Sequence, residues 1–135
     1  MITLYAAAKI GAILVTVNTN YKIFEAEYLF KQSDTKLAVM IEGFKDTSYT
    51  DIITELCPEL KTLDPKDELH SEKLPFLKRV VLAGGGSRPG MIRFEDIAKM
   101  GDSFPQEEYE RVQASLDPHD VINMQYTSGT TGFPK

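Results

Sequence analysis

One cysteine, Cys57, stands in 135 residues, so the chain can form no internal disulfide and no cysteine-based metal site, and a reducing cytoplasm is the expected setting. Basic residues are also scarce: 15 Lys and Arg face 20 Asp and Glu, leaving a net charge of −5. The lysines are scattered, and without a basic stripe to neutralise phosphates a nucleic-acid partner is not expected. Long apolar runs are missing. The longest, residues 10–17, is far shorter than the roughly 18 residues of a membrane span and is interrupted by Gly11 and Thr16. Nor does the start follow the plan of a signal peptide, because Lys9 falls inside the one candidate apolar region and no basic segment precedes it. There is no internal repeat and no low-complexity tract. The hydrophobic fraction of 42% and charged fraction of 26% are those of a soluble globular protein, and 135 residues fit one domain, short of the roughly 250 at which chains usually split.

What is present is concentrated at residues 126–135: Tyr126-Thr127-Ser128-Gly129-Thr130-Thr131-Gly132-Phe133-Pro134-Lys135. Hydroxyl side chains, two glycines and a lysine follow directly on Val121-Ile122-Asn123-Met124-Gln125, which reads as a buried strand. This is a combination suited to phosphate. Glycine lets the backbone turn its N–H groups inward, Ser and Thr add donors, and lysine contributes a point charge for a polyphosphate. It is not a Walker A loop, which has four residues between its glycines and ends in Gly-Lys-Ser/Thr, whereas here Thr130-Thr131 alone separates Gly129 from Gly132. Pro134 disfavours a helical Phe133, so the loop is not expected to run straight into a helix. The plain alternative is a polar loop joining two strands.

The decapeptide closely resembles the signature loop of the AMP-forming, adenylate-forming enzymes, a group comprising acyl-CoA synthetases, non-ribosomal adenylation domains and firefly luciferases. The resemblance implies that Thr127, Ser128, Thr130 and Thr131 donate to the β- and γ-phosphates of ATP, that Gly129 and Gly132 allow the curvature, and that Lys135 balances the charge of departing pyrophosphate. Residues 12–17 resemble the family's Leu-Lys-Ala-Gly-Ala-Val region, and 18–32 look more like the fatty acyl-CoA synthetase branch than the peptide-synthetase branch. It further implies ATP, Mg²⁺ and coenzyme A as cofactors of a parent ligase that turns a carboxylic acid into acyl-AMP and then acyl-CoA. The family's Mg²⁺-holding Glu, its ribose-binding Asp, its hinge and its adenylation lysine lie downstream of this loop, as does the acyl pocket. The chain is therefore expected to be a partial N-terminal domain, about a quarter of the usual length, inactive alone and carrying no catalytic or metal-binding residue of its own. Self-association through exposed apolar surface is a further expectation.

Along the chain, residues 1–10 have helical spacing ended by Gly11, and 12–17 read as a continuous buried strand of the kind parallel sheets use. A turn at 18–22 precedes a helix at 23–32 with Ile23, Ala26, Leu29 and Phe30 on one face. Lys22 stands where a Ser or Thr cap would serve better, with Glu25 still favouring the helix N-terminus. Residues 36–41 read as a second buried strand bearing Leu37, Val39 and Ile41, and a helix from Asp46 or Thr47 to Leu56 turns Ile52, Ile53 and Leu56 inward. Cys57 lacks a nearby histidine and reads as a small buried thiol rather than a nucleophile.

Residues 59–75 read as a polar surface loop with an exposed His70, and 76–82 as a strand. The 84–93 connection opens on three glycines, but without the helix start or acidic residue of a dinucleotide fold it reads as a flexible link. Helices follow at 94–100 and, opened by Pro105, at 106–116. Asp117-Pro118-His119-Asp120 reads as an Asp-capped turn rather than an acid/base cluster.

Strands near residues 12, 36, 78 and 120 separated by helices predict an α/β layered fold with a mostly parallel sheet, the large N-terminal domain of the adenylate-forming fold in part. Two other readings compete. One is another adenylate-forming enzyme, of the adenylation-domain or luciferase type, or an unrelated nucleotide-handling protein with a similar loop. The other is a non-catalytic nucleotide-binding or interaction module that pairs with a second chain.

Overall fold

The computed structural model describes residues 1–127. Helix α1 (Ile2–Lys9) leads into strand β1 (Leu14–Thr16), helix α2 (Ile23–Gln32) and strand β2 (Leu37–Ile41). A hairpin of β3 (Gly43–Phe44) and β4 (Thr47–Ser48) precedes helix α3 (Tyr49–Leu56) and a 3₁₀ turn at Pro58–Lys61. Strands β5 (Arg79–Ala83) and β6 (Met91–Arg93), helices α4 (Phe94–Gly101) and α5 (Gln106–Ala114), and strand β7 (Asn123–Gln125) complete the elements of the described residues. The fold is α/β, with parallel strands flanked by helices.

Among the described residues the parallel strands fall into two sheets. Strands β2, β5 and β6 make a three-stranded sheet in that order, with Val39 opposite Val81 and Val81 opposite Ile92. Strands β1 and β7 pair separately, placing Leu14 opposite Asn123 and Thr16 opposite Gln125. The core lies between the larger sheet and helices α2 and α3, where Ala26, Ala38, Ile53, Leu56, Val80 and Leu82 are buried together. Helix α2 occupies 23–32 with the expected inward face, and its first turn is held by the Glu25 carboxylate accepting the Lys22 N–H at 3.1 Å.

Several strand expectations are corrected by burial. Residues 12–17 and 121–125 were read as buried strands, yet β1 is at most half-buried and β7 is exposed throughout. Continuous apolar character resembles burial in a sequence, but Leu14 and Val15 are only half-buried and every residue of β7 is exposed. In β2 the alternation of the strand decides: Ala38 turns inward, while Leu37 and Ile41, expected inside, are 52% and 47% exposed. The strand read over 76–82 is shifted, with Phe76 exposed and Arg79 as the first paired residue.

Two connections hold more structure than expected. The 59–75 segment begins inside the 3₁₀ turn and His70 is exposed, but Leu60, Leu69 and Leu74 are buried in the core, each contributing on the order of 1.5–3 kcal/mol of burial. The 84–93 link ends in β6. Helix α3 begins two residues later than Thr47, because Thr47 and Ser48 pair with Gly43 and Phe44, and it is Ser48 whose hydroxyl caps the helix by accepting the Asp51 N–H at 3.1 Å.

Gly90 marks the tightest approach of the second connection to the core. Its φ is +69°, and a Cβ there would lie 2.5 Å from the carbonyl oxygen of Leu60. At Gly84, φ is +102° but no atom lies within 4 Å of such a Cβ. Gly90→Ala is therefore expected to destabilise the protein by about 2 kcal/mol or more and Gly84→Ala by about 1 kcal/mol, as measured by urea unfolding. Equal losses would show that the Leu60 contact costs nothing.

Candidate functional site

Parallel pairing makes β1 and β7 end side by side, so the segment after Thr16 and the segment after Gln125 leave the ribbon at the same carboxyl edge. That edge is where open α/β sheets offer room for ligands. Tyr126 and Thr127 emerge there; Ser128, Gly129, Thr130, Thr131, Gly132 and Lys135 lie outside the described residues. The side chain of Tyr126 is half-buried, unlike the exposed residues on either side of it. Burial, followed by the charges of Tyr28 and Asp34, pushes its phenol above the usual range.

The neighbouring segment at the same edge is ordered by its own side chains. Asn18 Oδ1 accepts the Asn20 N–H at 3.0 Å, and the Asn18 carbonyl accepts the Tyr21 N–H. Beyond it, the Tyr49 hydroxyl donates to the Thr19 carbonyl at 3.0 Å, and Lys22 Nζ donates to Thr47 Oγ1. Neither Tyr49 nor Thr19 was singled out from sequence. They are 30 positions apart, and no motif marks the pair.

The glycine-rich segment after β5 has a different character. The Glu42 carboxylate sits against Gly86, where a Cβ would lie 2.6 Å from Oε1, and it pairs with Arg88 at 3.3 Å. A phosphate placed there would meet a carboxylate, in keeping with its reading as a link. Among the described residues no group of three or more His, Cys, Asp or Glu side chains is arranged to hold a metal, so no Mg²⁺ step is assigned to them. Asp117 and Asp120 cap their turn, accepting the His119 and Asp117 N–H groups at 2.8 Å each.

Cys57 is fully buried, as read. Burial pushes its thiol upward; a bond to Ser71 and the charge of Lys73 oppose this shift, and the charge of Glu59 adds to it.

A family model described as AMP-binding enzyme matches residues 1–135, and the chain belongs to that family. Its relatives include “Putative acyl-CoA synthetase YngI” of Bacillus subtilis (strain 168), 47% identical over 131 residues that cover 97% of this chain and 24% of that protein. Medium-chain acyl-CoA ligase ACSF2, mitochondrial, of Homo sapiens is 35% identical over 131 residues, covering 96% of this chain and 21% of its own. Among solved structures, the anthranilate CoA ligase AuaEII in complex with anthranoyl-AMP matches 98% of this chain and 21% of its own with a TM-score of 0.65. At 24% identity that likeness speaks to the fold alone. The chain spans between a fifth and a quarter of the length of the relatives it matches.

The raised Cys57 thiol gives a signed expectation. The unfolded thiol ionises near pH 9.0 while the buried one keeps its proton, so the unfolded state binds fewer protons above that pH and stability falls as pH rises through and beyond about 9. Unfolding free energies of the wild type and Cys57→Ala, compared from pH 7 to 10.5, should show the extra downward slope in the wild type alone. Parallel curves would refute it.

Proposed function

We propose that this chain forms the phosphate-gripping part of an acid–thiol ligase that activates a carboxylic acid, most fittingly a fatty acid, with ATP. One carboxylate oxygen attacks the α-phosphorus, the bond to the bridging oxygen breaks, and pyrophosphate leaves as acyl-AMP forms. The thiolate of coenzyme A then adds to the acyl carbon and AMP departs. The observation that carries this reading is the decapeptide 126–135 at the carboxyl end of a parallel strand, in a chain of the AMP-binding family. Relatives named as acyl-CoA ligases support coenzyme A as the acceptor over an adenylation-domain or luciferase chemistry.

In this reading Thr127, Ser128, Thr130 and Thr131 supply donors fixed in advance around the β- and γ-phosphates, and Gly129 and Gly132 let the backbone curve. Lys135 faces the charge that grows on the leaving group. Mg²⁺ accompanies ATP as its counter-ion and reduces the charge of the polyphosphate. Residues 1–135 alone do not complete the reaction, because acyl recognition and the second half-reaction belong to parts of the longer relatives beyond the matched region. The apolar side chains left open on the β1–β7 ribbon, Val121 and Met124 among them, make self-association of the isolated chain part of the same reading. No helix of the described residues is long and apolar enough to cross a membrane. The free, buried Cys57 is the basis for proposing a cytoplasmic setting.

The test is fatty-acid-dependent exchange of pyrophosphate into ATP by the full-length protein. Lys135→Ala and Thr130→Ala are each expected to slow exchange roughly 100-fold while the fold, followed by circular dichroism, is kept. Exchange at the wild-type rate in both variants would remove the loop from the reaction, and exchange by the 135-residue chain alone would overturn its incompleteness.

A further inference from the structure

We draw no further inference here: the strongest candidate, the cavity of about 330 Å³ between the end of α2 and residues 72–77, carries nothing, because Lys31 is paired with Glu27, Lys73 shares the lining with Glu72, and nothing in the structure shows what covers its apolar wall of Phe30, Leu74, Pro75 and Phe76.

Discussion

Three backbone pairs, Leu14 with Asn123, Val15 with Met124 and Thr16 with Gln125, join parts of the chain roughly 110 positions apart and bring Tyr126 and Thr127 to the end of β1. A closure of that length is entropically costly, and three pairs in a solvent-exposed ribbon do not offset it by themselves. The intervening fold does. Helices α2 and α3 and the β2–β5–β6 sheet bury a leucine-rich core, whose stability can offset the cost of bringing the ends of the closure together. The proposed phosphate site would thus depend on packing to which Thr127, its described member, does not contribute.

That division of labour shapes the electrostatics as well. The hydrophobic core buries the one thiol, Cys57. The polar side, at the carboxyl edge of the ribbon, is held by side-chain hydrogen bonds and turns. The second glycine-rich connection shows the contrast: its backbone has the freedom a phosphate loop needs, but Glu42 and Arg88 already satisfy each other beside it. Glycine supplies conformational permission, and the neighbouring charges decide what can bind.

Helix α2 was legible because Ala26 and Leu29 repeat at helical spacing and its ends carry Glu25 and a turn; the structure places it at the same residues. The hairpin of β3 and β4 was not, since its turn at Lys45-Asp46 carries no glycine or asparagine and Lys45 takes a φ of +53°. The buried leucines of the 59–75 connection were hidden by the charged residues around Leu60 and Leu69, between which those two side chains turn inward singly. Of the candidate site, the loop itself stands out in the sequence, while the hydrogen bond from the Tyr49 hydroxyl to the Thr19 carbonyl joins residues 30 apart that follow no pattern.

Local chemistry, then, was settled by residue order alone: the hydroxyl-rich glycine segment, the helical faces, the punctuation at Gly11 and Pro105, and membership of the α/β class. These depend on neighbours a few positions away, so they survive without knowledge of the fold. Which apolar strands are covered and how the parallel strands divide between two sheets were decided by tertiary structure. Each of those depends on what arrives from distant parts of the chain to share a face, and hydrophobicity states only that a face needs covering, not what covers it.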